Sequence, residues 1–379
     1  MLPSTVLVTG ASRFVGGRLA ARLAADPSID RVIGVDVVPP RPDLLRRMGR
    51  TEFVRVDLGN PLIAKVISSA KVDTVVHAAM TETNVIGTMR LLVACQQSTT
   101  TRLVVKSTSA VYGASPRDPA MFTERDVPKS LPASGYATDA MDVEGYIRDF
   151  ALRRRDVDVT VLRFTNLIGP RIDTVLTQYF ALPVVPTVLG YDGRIQLLHE
   201  QDALAVLEQA TRQRLPGVFN VGGDGVLLLS EAIRRSGRIP APIPEPTMAI
   251  VGRLLRSSHL VDYCPEQLRF LHHGPVLDTT RLRAEFGFTP RWTTAQAFDD
   301  FVHGRALRPV LDPERLAGVV HGLRELAQRF LPGVSGCGAR SDGALDHDKP
   351  SAGAGHTGHH SRTHRAWEHD KPGGLGVGF

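Results

Sequence analysis

The chain has 379 residues, 42% of them hydrophobic, and a mild formal charge of +6 spread along its length. That is enough for a full core and predicts one large α/β domain with a smaller lobe and a tail. Three widely spaced cysteines (Cys95, Cys264 and Cys337) suggest neither a disulfide framework nor a zinc site, no apolar run reaches membrane-spanning length, and the charge favours phosphate-bearing ligands without arguing for nucleic acid.

Met1 passes directly into the first strand, with no charged region and cleavage site, so a cytoplasmic protein is expected. Thr5 to Gly17 reads TVLVTGASRFVGG. Val6, Leu7 and Val8 form a short apolar run that Gly10 ends, and a new apolar rhythm opens at Phe14, Val15 and Leu19. The pattern predicts a buried strand, a tight turn and a helix over Phe14 to Ala25. Gly10 permits the turn, Gly16 lets helix and strand pack closely, and the N–H groups of the helix start offer anion donors backed by the helix dipole. The spacing is nearly that of a dinucleotide fingerprint, with Arg13 standing where the middle glycine would be. A second β-rich run ends at Asp36, placed to accept hydrogen bonds from an adenosine ribose and to repel a 2′-phosphate, which favours NAD over NADP. Arg13, Arg41 and Arg46 are the counterweight, since a guanidinium near the ribose tolerates NADP.

Strands over Glu52 to Val56, Asp73 to His77 and Arg102 to Lys106 alternate with helices over Pro61 to Ser69 and Asn84 to Gln97. This rhythm predicts a doubly wound parallel sheet of Rossmann-like α/β type, with ligands at the carboxyl ends of the strands. A sixth strand covers Val157 to Phe164, and short strands cover Pro183 to Gly190 and Ile195 to Leu198. Asp202 is expected to serve helix-start electrostatics. Gly217 to Gly225 repeats the strand-then-glycine pattern but reads as a structural turn, Ser230 as a helix cap, Ile239 to Pro246 as a linker, and Met248 to Arg256 as an amphipathic stretch that packs internally. The Gly/His-rich tail, with HDKP at His347 and again at His369, is predicted to be disordered and without a physiological metal site, despite His356, His359, His360 and His364. The expected division is 1–165 for the dinucleotide, 166–332 for a smaller mixed substrate lobe whose strands partly return to the first domain, and 333–379 for the tail.

VTGASRFVGG, Asp36, VDL at Val56 to Leu58, HAA at His77 to Ala79, NVIGT from Asn84, STSAVYG from Ser107, LRFTNLIGPR from Leu162, LLHEQDA from Leu197 and FGFTPRWTT from Phe286 occur in one order. In that order the chain resembles an extended short-chain dehydrogenase/reductase of the NAD-dependent epimerase/dehydratase family, over about the first 300 residues, and is most similar to its actinobacterial UDP-glucose-epimerase-like members. The resemblance implies an oxidoreductase that acts on a nucleotide sugar by transient hydride transfer, like a UDP-glucose 4-epimerase. It places NAD against Gly10, Ser12, Arg13, Phe14, Val15, Gly16, Asp36, Asp57, Leu58, Ala78, Ala79, Asn84 and Lys106. It implies a homodimer through the helices at Asn84 to Gln97 and Gly135 to Leu152.

The same resemblance maps a hydroxyl that bonds the reacting oxygen onto Thr108 and an acid/base phenol onto Tyr136. A phenol with an ordinary pKa near 10 needs a nearby cation to act as a base at neutral pH. The family's lysine position is Ala140, and no lysine lies elsewhere in that helix. Two readings stay open: Tyr136 is activated by another charge, such as Lys106 or the nicotinamide, or the site binds NAD as a sensor or scaffold without efficient hydride chemistry. The loop at Met80 to Thr83 is shorter than the family's cover. On the substrate side, Asn166 is placed to contact the sugar nucleotide and Arg194 to pair with a diphosphate.

Overall fold

The computed structural model describes residues 3–79, 85–114, 118–128, 135–244 and 274–310. Expectations for Asn84, the Met80 to Thr83 loop, the Met248 to Arg256 stretch, Cys264, Cys337 and the tail after Gly333 lie outside them.

In chain order the first half runs β1 (Thr5–Thr9), α1 (Phe14–Ala25), β2 (Arg31–Asp36), α2 (Pro42–Arg47), β3 (Glu52–Arg55), α3 (Leu62–Ser69), β4 (Thr74–His77), α4 (Val85–Gln96), β5 (Arg102–Thr108), a 3-10 turn (Ser109–Tyr112), α5 (Tyr136–Arg153) and β6 (Asp158–Phe164). There follow β7 (Asn166–Ile168), α6 (Val175–Ala181), β8 (Val184–Val188), β9 (Arg194–Ile195), β10 (Leu197–His199), α7 (Glu200–Arg212) and β11 (Gly217–Val221). The last described elements are β12 (Leu227–Leu228), α8 (Leu229–Arg235), β13 (Ile239–Ile243), α9 (Thr280–Ala284) and α10 (Thr294–Gly304).

Seven strands form one sheet in the order β11-β6-β5-β4-β1-β2-β3, every neighbour parallel. Chain direction across the sheet reverses between β1 and β4, and the crevice beyond their carboxyl ends is where such sheets take ligands. Alternating strand residues feed two apolar layers. Leu7, Val75 and Val105 pack with Leu91, Ile147 and Phe150 on the α3–α5 side. Val6, Val8 and Val104 pack with Leu19, Leu23 and Leu207 on the α1 and α7 side. A third cluster, with Tyr179, Phe180, Phe298 and Phe301, holds the later elements together.

Two local expectations change and two are extended. Ile239–Ile243 is not a linker: it is β13, paired in parallel with β8. A two-stranded sheet is all edge, so Pro240 and Pro242 are tolerated there. Ser230 does not cap α8; the cap position is Leu228, and the Ser230 N–H and hydroxyl donate to the Asp192 carboxylate at 2.9 and 2.6 Å. The strand of the Gly217 segment, β11, forms an edge of the main sheet. Asp202, in the first turn of α7, also accepts the backbone N–H groups of Arg291 and Trp292, each at 3.0 Å, and so ties α7 to the segment before α10.

Candidate active site

The glycine loop after β1 is built to hold an anion. Gly10 has φ +71°, a left-handed conformation that glycine adopts without strain. A Cβ on Gly16 would overlap the Gly10 carbonyl and come within 2.9 Å of the Thr9 oxygen, so only glycine lets α1 seat on the turn. Arg13 occupies the cap position of α1 without a side-chain cap, and the first turn holds no acidic residue. Among the described residues no acceptor meets the N–H groups of Phe14, Val15 and Gly16. Three free donors at the positive end of a helix dipole attract a diphosphate.

Asp36 stands at the end of β2 with its carboxylate fixed: Oδ2 accepts the Ser12 N–H at 3.0 Å and Oδ1 the Val37 N–H at 2.8 Å. The Ser12 hydroxyl donates to the Val38 carbonyl. A cleft of about 750 Å³ opens over the loop, lined by Ser12, Arg13, Phe14, Val15, Ala78 and Lys106, with Arg18, Arg41, Arg47 and Arg171 also on its walls. A glycine cradle, unpaired helix-start donors and a positioned carboxylate fit a dinucleotide.

The HAA segment braces this crevice. Thr9 Oγ1 accepts the N–H groups of Ala78 and Ala79 at 3.1 and 3.3 Å, so its own proton goes to His77 Nδ1 at 2.9 Å. That assigns the Nε2–H tautomer, which donates to Thr88 Oγ1 at 2.9 Å. Burial, and after it the charge of Lys106, holds the imidazole at about 4, so His77 is neutral. Its part is to join β1, β4 and α4.

Beside the cleft lies a cavity of about 220 Å³ that gathers Lys106, Thr108, Tyr136 and Asn166, with Thr165 and Thr174 on the same wall. Lys106 and Thr174 line both spaces. Extension of β5 to Thr108, two residues beyond the expected end, carries Thr108 to this rim. Its Oγ1 accepts the Ala110 N–H at 3.2 Å, which leaves the hydroxyl hydrogen to be donated. Tyr136 is the first residue of α5, set by Gly135 at φ +110°. Ala140, one turn on, is 2% exposed and packed in the apolar layer with Val143 and Ile147. Thr165 is 4% exposed, and its hydroxyl has no hydrogen-bond partner among the described residues. A buried orphan hydroxyl on a cavity wall is a place for a ligand atom or a water.

Lys106 has no hydrogen-bond or ion-pair partner among the described residues and lies 5.8 Å from the centre of the Phe164 ring. Burial, and after it the charge of Arg13, pulls its pKa down to about 8.

Other predicted positions lie elsewhere. Arg194 donates to the Ala120 carbonyl at 3.0 Å and lines neither space. Asp57 Oδ1 accepts the Gly59 N–H at 2.8 Å, and Leu58 belongs to the core. Sequence reasoning missed Thr165, although it lies inside the quoted LRFTNLIGPR motif. It also missed the support on the opposite side of β5, where the Ser107 hydroxyl donates to Glu144, which Arg163 grips at 2.6–3.1 Å.

The model of the NAD dependent epimerase/dehydratase family matches residues 6–222, more than half the chain. The chain belongs to this family. The uncharacterized protein Mb0513 of Mycobacterium bovis is 51% identical over 342 residues, covering 86% of this chain and 91% of its own. Among solved structures, the dTDP-glucose 4,6-dehydratase of Bacillus anthracis in complex with NAD aligns with a TM-score of 0.63 at 19% identity, over 80% of this chain and 96% of that one. The UDP-glucose 4-epimerase of Thermotoga maritima with UDP-glucose aligns with a TM-score of 0.61 at 19% identity, over 79% and 98%. At such identities these likenesses establish the α/β fold that this family member shares.

Proposed function

We propose that this family member is an NAD-dependent oxidoreductase that acts on a nucleotide sugar in the manner of a UDP-glucose 4-epimerase. One observation carries the reading: Lys106, Thr108, Tyr136 and Asn166 line a single cavity that adjoins the anion-binding cleft at Lys106. The ligands of the structural neighbours, NAD in one and UDP-glucose in the other, support it. Asp36 favours the unphosphorylated dinucleotide, since its carboxylate repels a 2′-phosphate.

When bound, NAD supplies a reversible hydride acceptor. The chain's own groups handle the proton. Tyr136 Oη takes the proton of a sugar hydroxyl and later returns it, while Thr108 donates a hydrogen bond to the same oxygen. Lys106, the one cation lining this cavity among the described residues, takes over the part that Ala140 cannot play, because a nearby ammonium favours the phenolate. Asn166 and the orphan Thr165 hydroxyl hold the sugar side, with residues 1–165 serving the dinucleotide and 166–332 the substrate.

The test is turnover of a panel of UDP- and dTDP-sugars by the purified protein with NAD. Tyr136→Phe should lower the rate by about 100-fold or more with dinucleotide affinity unchanged. Conversion of no nucleotide sugar, with NAD bound, overturns the enzyme reading. It favours the second one, a dinucleotide-binding sensor or scaffold, which the apolar burial of Ala140 supports.

A homodimer through α4 and α5 is part of the proposal. Ile86, Met89 and Val93 are exposed at helical spacing on α4. Light scattering should report twice the chain mass, and Val93→Glu should lower it.

A further inference from the structure

Lys106 is a half-buried ammonium at the junction of two spaces, and the described residues give it no counter-charge. The charged and titratable groups around it come from every adjoining element. Arg13 comes from the glycine loop, His77 from β4 and Tyr136 from the start of α5, and Arg18, Arg41, Asp43, Arg47, Arg171 and Asp173 also line the cleft; Asp43 acts on Arg18, and the one charge that shifts Lys106 is that of Arg13. Arg13 adds positive charge and His77 is neutral. Asp173 is already paired with Arg305 at 2.7 Å, and Arg171 with Glu200 at 2.8 Å.

An uncompensated ammonium in a partly dry cavity discriminates between ligand forms that differ in charge. The two redox forms of a nicotinamide dinucleotide share the same diphosphate and differ at the ring, which is cationic when oxidised and neutral when reduced. Lys106, Thr108 and Tyr136 line one cavity, so a nicotinamide ring exchanging hydride with a substrate held there would share that cavity with Lys106. We propose that Lys106 biases this site toward the reduced dinucleotide by repelling the oxidised ring. The inference rests on the dinucleotide reading of the site and does not require turnover. In an epimerase the bias keeps the hydride carrier in place until the hydride is returned; in a sensor it makes the reduced form the one that is registered.

The charge responsible is present below about pH 8 and is lost as the pH rises through that value. The preference therefore fades with rising pH.

The experiment is calorimetric titration of the full chain with NAD and with NADH, at about pH 7 and about pH 9.5, in wild type, Lys106→Met and Lys106→Arg. At the lower pH, the affinity ratio of NADH over NAD should be about tenfold larger in wild type than in Lys106→Met. At the higher pH the wild-type ratio should fall toward that of Lys106→Met, while Lys106→Arg, whose charge persists, should keep it. Equal ratios in wild type and Lys106→Met, or a wild-type ratio that does not change with pH, overturn the proposal. Should Lys106→Met fail to fold, the wild-type pH series and Lys106→Arg decide it. Failure of wild type to bind either dinucleotide overturns the cofactor reading and this inference together; binding of both with a ratio indifferent to Lys106 overturns this inference alone.

Discussion

Lys106 and Ser107 are consecutive on β5, so their side chains leave the sheet on opposite faces, and they meet opposite electrostatic surroundings. On the Ser107 face a chain of polar groups is paired from end to end. The Ser107 hydroxyl donates to Glu144, and Arg163 binds the same carboxylate through Nε and Nη2. Arg163 Nη1 donates to Tyr112 Oη at 2.8 Å, Tyr112 donates to Asn220 Oδ1 at 2.7 Å, and Asn220 Nδ2 donates to the Phe122 carbonyl at 3.0 Å. Burial alone would pull Arg163 down, yet the hydrogen bonds and charge of Glu144 push its pKa above the ordinary arginine value. On the Lys106 face an ammonium sits over an aromatic ring with no carboxylate paired to it among the described residues. A closed ionic cluster spends its interactions on the fold, whereas an unmatched charge keeps them for a ligand.

The contrast predicts opposite signs for neighbouring substitutions. Glu144→Ala leaves the Arg163 charge buried and alone, and should cost about 3–5 kcal/mol of unfolding free energy in urea titration. Replacing both partners by apolar groups of similar volume, as in Glu144→Leu with Arg163→Met, should recover much of that loss; no recovery would mean that the cluster does more than satisfy itself. Lys106→Met should stabilise the protein at neutral pH by about 1–2 kcal/mol, a figure reduced for its partial exposure. The sign follows from the protons bound. The folded pKa of about 8 lies below the ordinary 10.5, so the folded state sheds its proton first. Wild-type stability then rises with pH between these values, and the advantage of the variant is full below pH 8 and gone above 10.5. Ser107→Ala removes one hydrogen bond from a carboxylate that keeps Arg163, and should cost about 1 kcal/mol.

How legible these features were depended on the distance over which their causes act. The run from Val6 to Leu19, the acidic end at Asp36 and the alternation of strands and helices depend on local periodicity and glycine placement, and the sheet follows from them. Thr108 and Tyr136 are mapped by the family resemblance through motifs at element ends, and both line the smaller cavity. The orphan state of Thr165 was hidden, since it follows from what surrounds the hydroxyl after β6 and not from any neighbour in sequence. Arg194 reads as a diphosphate partner, and its hydrogen bond to the Ala120 carbonyl, 74 residues away in sequence, has no local signal. Ser230 reads as a cap because serine does cap helices, but its hydroxyl finds Asp192, 38 residues away. The β13 prolines read as a linker because nothing nearby announces β8 as a partner.

The register of β11 on β6, from Gly217 opposite Thr160 to Val221 opposite Phe164, has a consequence for biosynthesis. Until Val221 has left the ribosome, β6 is a bare edge carrying Val159 and Val161, and Tyr112 lacks the Asn220 Oδ1 that accepts its hydrogen bond. A nascent chain stalled before that point presents an unpaired apolar strand of the kind that recruits chaperones or other copies. Chains truncated at residue 165 should therefore be found in the insoluble fraction, and those that run past Val221 should not.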